Sequence, residues 1–230
     1  VDGLTCFLAG LLLIRLLNPK KAKENPKDLN LNPISVIKDR PYMLFILTMI
    51  IFGFIFVQYF STIPLYYADA NGLSESEIGL ILGMNGLIIF LLEMPLIKYL
   101  ESRNWSLITQ VTLGTFLAGI SFLAINIASG TGILLTGMII LTFGEMIAFP
   151  FSNTFALHRA GRGKQGSYMA LYSIAFSVSH IFGHNAGMHL INTFGYTFTW
   201  NIMMFLGAIA CGLLLLLNFI VKKETYSPIS

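Results

Sequence analysis

The chain has 230 residues, of which 55% are hydrophobic and 11% charged, with a formal net charge of +3. Soluble domains carry roughly 25% charged residues, so this composition argues against a water-soluble enzyme or a nucleic-acid-binding domain and puts most of the chain in a bilayer. Cys6 and Cys211 both lie inside apolar runs, which argues against a disulfide framework or a zinc site and reads as buried, inert thiols.

The first apolar run, residues 3–17, has its positive charges after the apolar core, the reverse of a signal peptide. A full span needs about 20 apolar residues. The run is therefore expected to be the cytoplasmic end of a transmembrane helix that starts upstream, in a chain that is a piece of a longer protein. A basic connection rich in Lys, Asn and Pro follows over residues 18–40. Six long apolar segments come next, at 41–62, 78–98, 106–126, 132–157, 166–190 and 197–221. Each has about 20 to 26 residues, enough to cross some 30 Å of hydrocarbon at 1.5 Å per residue. Ser74 is the expected N-cap of the helix entering near Ile78. The run Ala128 to Gly132 separates the third and fourth segments. Asn192, Thr193 and Gly195 divide the charge-free stretch 165–221, which is too long for one crossing. A short tail, residues 222–230, closes the chain.

All fourteen Lys and Arg residues fall in alternate connections. Arg15, Lys20, Lys21, Lys23, Lys27, Lys38 and Arg40 precede the first full span; Lys98 and Arg103 follow the second; Arg159, Arg162 and Lys164 follow the fourth; Lys222 and Lys223 follow the sixth. The connections in between, which include the acidic 62–77 segment, have none. The positive-inside rule makes the basic connections and the C-terminus cytoplasmic, where anionic inner-leaflet lipids would meet them. Six spans with both ends inside form two three-helix units of opposite topology, and such inverted repeats mark transporters. Tyr66, Tyr67, Tyr99, Trp105, Tyr196 and Trp200 fall near span ends, where an interfacial aromatic belt is expected.

Several motifs carry a family resemblance. Gly144–Pro150, Arg162–Tyr172, the glycines Gly183, Gly187 and Gly195, and Trp200 resemble the last three helices of major facilitator superfamily transporters. Within that superfamily they are most like the bacterial twelve-helix, proton-coupled multidrug exporters. Gln58–Tyr66 resembles the end of the seventh helix, and Asn85-Gly86 with Glu93-Met94-Pro95 the eighth. Pro95–Arg103 looks like the second copy of the cytoplasmic loop motif, in which Glu101 and Arg103, with Arg162 and Gly163 of the next cytoplasmic loop, are the candidate members. Two departures stand out. Ser102 sits where relatives commonly have Asp beside the Arg, and Gly183-His184 replaces a common Gly-Pro. The second change removes a kink and adds a titratable group.

The resemblance implies an all-α membrane protein with a six-helix bundle over residues 41–221, forming the C-terminal half of a twelve-helix transporter of the bacterial inner membrane. It implies a small-molecule substrate and protons as partners, beside membrane lipids and an N-terminal six-helix bundle of the same protein, with no cofactor. Export of small amphipathic compounds or drugs by alternating access is the leading expectation. The alternatives are a proton-coupled symporter for peptides or other polar nutrients, or a non-transporting membrane protein of this fold. An intramembrane enzyme finds no Ser-His pair or metal-ligand cluster to support it.

Two acids lie well inside spans. Glu145 falls near mid-membrane, where an ionised carboxylate costs about 2.5–3.5 kcal/mol; such residues are functional candidates by default. It reads as a proton-coupling group, or as a protonated acid hydrogen-bonded between helices. Glu93 lies nearer the cytoplasm and is either a second proton-coupling group or an ion-pair partner of Lys98 or Arg103. Gln58, Tyr59, Asn85, Phe149, His180 and His184 are candidate substrate-binding residues, with interhelical hydrogen bonding or packing as the alternative for each. His180 and His184, spaced i, i+4, share a helix face, although a closed zinc site needs four ligands, so no metal is expected. Met146, Phe151, Met203 and Met204 form either an adaptable greasy wall or ordinary core.

Overall fold

A computed structural model describes residues 7, 10–12, 15, 36–127, 130–160 and 165–226. The chain divides into two units, Val1–Pro33 and Ile34–Ser230. In the first, Phe7, Gly10, Leu11, Leu12 and Arg15 are helical. The expected truncated helix at 1–17 and most of the linker at 18–40 otherwise lie outside the described residues, as do Arg162 and Gly163.

The second unit is a helical bundle. A 3-10 turn, Val36–Lys38, leads to Asp39, which caps α1 (Arg40–Ser61) by accepting a hydrogen bond from the Tyr42 amide at 3.2 Å. Pro41, next to the helix start, has no N–H to leave unsatisfied there. Thr62 separates α1 from α2 (Ile63–Asp69), because Pro64 cannot donate to the helical ladder. The expected 62–77 connection is therefore helical in its first half. Ser74 caps α3 (Glu75–Glu101) in a reciprocal capping box with Glu77, so this helix starts a few residues before Ile78. Then come α4 (Leu107–Ile127), α5 (Thr131–Arg159), α6 (Gln165–Phe194) and α7 (Tyr196–Tyr226). Gly195 alone parts the last two; its φ of +82° is readily adopted only by glycine.

Packing pairs the helices in a regular way. α4 lies mainly against α5 and α7, α1 against α6 and α7, and α3 chiefly against α5. Exchanging α1 with α5, α3 with α6 and α4 with α7 turns the α1–α6 pair into α5–α3 and the α4–α5 pair into α7–α1, and returns α4–α7 to itself. The exchanged partners run in opposite directions, as the two inverted three-helix repeats require. Close crossings need small residues. A Cβ added at Gly114 of α4 would sit 2.6 Å from the Gly144 carbonyl oxygen of α5, so glycine lets these two backbones touch.

Five helical stretches are long and apolar enough to cross a membrane: Arg40–Asp69, Glu75–Glu101, Leu107–Ile127, Gly132–Arg159 and Tyr196–Glu224. The sixth expected span, α6, has 30 residues but falls short in apolarity. Ser173, Ser177, His180, His184, Asn185, His189 and Asn192 dilute it, and all are exposed in the bundle. In the second unit the described Lys and Arg residues belong to one end of the bundle. Arg159 bonds to both Asp39 and Glu224, which brings the start of α1 and the ends of α5 and α7 together, and Ser106 bonds to Asn218 to place the start of α4 beside them.

The interior is aromatic and aliphatic, with Tyr42, Phe45, Phe52, Ile55, Phe122 and Trp200 essentially inaccessible. Trp200 and Tyr67 thus depart from the expected interfacial belt. Both are 1% exposed, and Trp200 packs on Phe122 and Tyr66 within the bundle. Met146, Phe151 and Met203 are likewise core, which decides for packing over a greasy wall at those positions.

Candidate functional site

Glu145 stands at the midpoint of α5 and is 6% exposed. Facing it from α3 is Asn85, also buried, whose side-chain N–H groups donate to the Glu145 carboxyl and, at 2.9 Å, to the Thr142 hydroxyl. The Thr142 hydroxyl in turn donates to the Met138 carbonyl at 2.8 Å, which fixes it as the acceptor towards Asn85. Spacing explains the arrangement. Met138, Thr142 and Glu145 lie at i, i+4 and i+7, one stripe along α5, and α3 is laid against that stripe. A carboxyl buried at mid-span would be severely destabilised as an isolated anion. Here an amide meets it that can serve either protonation state, donating to a carboxylate or to the carbonyl oxygen of the acid.

The structure disperses the other candidates. Glu93 is half-buried on α3 and forms no ion pair with Lys98 or Arg103 among the described residues. Arg103 instead stacks 4.8 Å over the Tyr99 ring and donates to its hydroxyl, and Glu101 is exposed and apart from it. Gln58 is wholly buried and clasps α1 to α6. Its Nε2 donates to the Phe54 and Gly183 carbonyls at 3.0 Å each, and its Oε1 accepts from Thr62 at 3.0 Å. Gly187 passes so close to that amide that an added Cβ would collide with it. Tyr59 is turned into the bundle, edge-on to Phe122 of α4 at 5.2 Å. Neither residue joins the Glu145 cluster. Phe149 is half-buried, one turn beyond Glu145, in an aromatic group with Phe52, Phe56 and Phe176. His180 and His184 are exposed on α6 and have no protein partner among the described residues.

A second constellation was not foreseen from the sequence. Asp39 accepts two hydrogen bonds from the Arg159 guanidinium, at 2.8 and 2.9 Å, and a third from the Tyr168 hydroxyl at 2.8 Å. Arg159 also holds Glu224 at 2.6 Å, and the Tyr42 hydroxyl donates to the Tyr168 carbonyl at 2.6 Å. Four helices, α1, α5, α6 and α7, are tied at the basic end. Burial pushes the Asp39 pKa up, but the hydrogen bonds from Arg159 and Tyr168 outweigh it and hold the carboxyl below its ordinary value. The signal legible in advance was the Asp39-Arg40-Pro41 helix start; a partner 120 residues away leaves no local trace.

These features match known proteins. The chain is similar to the MFS-type transporter YttB of Bacillus subtilis, 29% identical over 147 residues that cover 63% of this chain and 36% of the relative. It resembles a Na(+), Li(+), K(+)/H(+) antiporter of Planococcus maritimus, 22% identical over 191 residues, with 76% and 43% covered. It also resembles the multidrug resistance protein MdtH of Escherichia coli, 21% identical over 152 residues, with 66% and 37% covered. The chain thus spans well under half the length of each of these relatives. Among solved structures, a POT family transporter in complex with 5-aminolevulinic acid superposes with a TM-score of 0.65 at 17% identity, over 96% of this chain and 54% of that one. The shared architecture, rather than any shared substrate, is what that likeness conveys. The family model for the Major Facilitator Superfamily matches residues 1–184, most of the six-span pattern and the Glu145 helix included, and the chain belongs to that superfamily.

Proposed function

We propose that this chain is the C-terminal bundle of a proton-coupled secondary transporter that exports small amphipathic compounds, and that Glu145 is its proton carrier. The observation that carries the reading is the buried Glu145 carboxyl at mid-span with Asn85 as its hydrogen-bond partner. Ionised, it gains from the Asn85 amide and from any water that reaches it; protonated, it suits closed, dry surroundings. A substrate site near the bilayer midplane, between this bundle and a second one, would alternate between the two sides as the bundles rock. Protonation of Glu145 from outside then favours substrate release, and loss of the proton to the inside resets the carrier. The likeness to MdtH supports export of drug-like compounds. Exposed Phe90 and Met94 on α3 and exposed His180 and His184 on α6 are apolar and polar groups of the kinds that amphipathic molecules need.

The test is flux in proteoliposomes with an imposed pH gradient. Glu145→Gln should abolish gradient-driven accumulation while leaving downhill substrate exchange. Undiminished accumulation in that variant removes Glu145 from the role.

A second reading has one observation in its favour. The Glu145 carboxylate, the Thr142 hydroxyl and, after a flip, the Asn85 carbonyl are all hard oxygen donors, and a relative is named for Na(+), Li(+) and K(+) exchange. Under this reading, Na+ competes with H+ at Glu145, and gradient-driven flux of radioactive sodium replaces drug flux as the Glu145-dependent signal.

A further inference from the structure

We propose that the outward face of α7 at its C-terminal end is a binding site for an anionic phospholipid. An open groove of about 420 Å³ lies there, lined by Leu216, Phe219, Ile220, Lys223 and Glu224. The spacing 216, 219, 220, 223 puts these side chains on one helix face, over about 10 Å of axis at 1.5 Å per residue. The groove is apolar along its length and charged at one end. Phe219 is 68% exposed and Leu216 50%, so no other helix of the bundle covers this face. An acyl chain lying along Leu216, Phe219 and Ile220 would bring its phosphodiester to the level of Lys223.

Charge selects the kind of lipid. Lys223 and the adjacent Lys222 are exposed and have no protein partner among the described residues. Glu224, the acid at the groove's mouth, is not free to answer them. Its carboxylate is held by Arg159 at 2.6 Å and 3.4 Å, and that same guanidinium is shared with Asp39. The mouth therefore presents the unanswered Lys223 ammonium at the polar end of an apolar stripe, with that of Lys222 next to it in the chain. A phosphodiester accepts hydrogen bonds from an ammonium and neutralises it. A zwitterionic choline headgroup would bring a second cation to the same place and gains less. A packed protein partner would have to bury both lysines unpaired, which is costly. Each lysine near an anionic membrane surface favours binding about fivefold.

Native mass spectrometry of the full chain in detergent, titrated in parallel with phosphatidylglycerol and with phosphatidylcholine, tests the site. The unmodified protein should retain phosphatidylglycerol preferentially. Lys222→Gln combined with Lys223→Gln should cut that retention about 25-fold and leave phosphatidylcholine unchanged. Glu224→Gln removes a negative charge from the mouth and should strengthen phosphatidylglycerol retention. Melting temperatures measured in phosphatidylcholine alone identify any variant that has failed to fold, and Glu224→Gln then carries the test without the lysine variants. Equal retention of the two lipids by the unmodified protein means ordinary annular lipid and overturns the proposal. So does an undiminished phosphatidylglycerol preference in the double variant, or a dimer that Phe219→Ser abolishes.

Discussion

Replacing Arg159 by Ala tests whether the polar network at the basic end holds the bundle together. The structure predicts unequal contributions from its two ion pairs. The Asp39 side chain is 9% exposed and that of Glu224 is 45% exposed. Removing the cation from a largely buried carboxylate costs about 3–5 kcal/mol, whereas an exposed pair contributes about 0–1 kcal/mol. Tyr168 and the Tyr42 amide still bond to Asp39 after the change, so the low end applies, about 3 kcal/mol. At about 2–4 °C per kcal/mol for a chain of this size, Arg159→Ala should lower the melting temperature in detergent by roughly 6–12 °C. Glu224→Gln should lower it by no more than about 4 °C. Asp39→Asn keeps the helix cap, since Asn and Asp cap equally well. Added to Arg159→Ala, it should therefore cause little further loss, because the carboxylate has already lost its cation. The network also sets an acid dependence. The folded-state pKa of Asp39 lies below the ordinary carboxyl value, so its contribution is fully present above the unfolded-state pKa of about 3.9 and fades as pH falls through the lower folded value. The melting temperature should consequently drop more steeply below about pH 4 in the unmodified protein than in Asp39→Asn. Equal destabilisation by Arg159→Ala and Glu224→Gln, or strict additivity of Arg159→Ala with Asp39→Asn, would refute the reasoning.

Other outcomes follow from the packing. Gly187→Ala forces a methyl into the Gln58 amide and should destabilise by about 1–3 kcal/mol. Gln58→Ala in the same chain makes room for that methyl, so the double variant should melt above the sum of the two single losses. Thr115 is fully buried with its hydroxyl unpaired among the described residues, so Thr115→Val should be neutral or mildly stabilising in thermal unfolding; a large loss would show a hidden partner. In a Cys6→Ser, Cys211→Ser background, single cysteines at Ser177 or His184 should react quickly with a membrane-impermeant thiol reagent, and cysteines at Phe205 or Leu215 slowly. Equal rates would place the exposed side of α6 in lipid.

The elements of the fold were legible because their signals are local. Apolar runs of span length, the basic alternation from Lys38 to Lys223, the Ser74 cap and the Gly195 break each mark their place within a few residues. Glu145 was legible for the same reason, since a single acid in an apolar run identifies itself. Partners were not. Asn85 reads either as a substrate contact or as an interhelical hydrogen-bonding residue, and 60 residues of intervening chain hide that the residue it meets is Glu145. Gln58 leaves the same two readings open. A polar side chain in a span must be satisfied somewhere, and the sequence does not say whether by a ligand or, as here, by the Gly183 backbone. The sixth span shows the limit of hydropathy itself, because α6 holds its place in the bundle through its buried stripe, from Tyr168 through Gly183 to Ile191, while its other side is rich in Ser, His and Asn among exposed Ile174, Ile181 and Phe182.

That polar side gains meaning from the repeat symmetry. Exchange of the two three-helix units makes α6 the counterpart of α3, and both, like α7, keep a broad face open in the bundle. They differ in chemistry. α3 shows Leu87, Phe90, Leu91 and Met94, which lipid would accept, whereas α6 shows, beside Ile174, Ile181 and Phe182, the polar Ser173, Ser177, His180, His184 and Asn185, which hydrocarbon would not. An imidazole or amide with no partner in the bundle needs water, a ligand or another protein surface, and an exposed i, i+4 histidine pair doubles that need. Under the proposed function, the face of α6 is the side of this bundle from which water and solutes would approach. Glu145 lies on α5, the repeat-equivalent of α1, and is faced by α3, so the hydrogen bond of Asn85 to Glu145 is the link that any movement of α3 away from α5 must break.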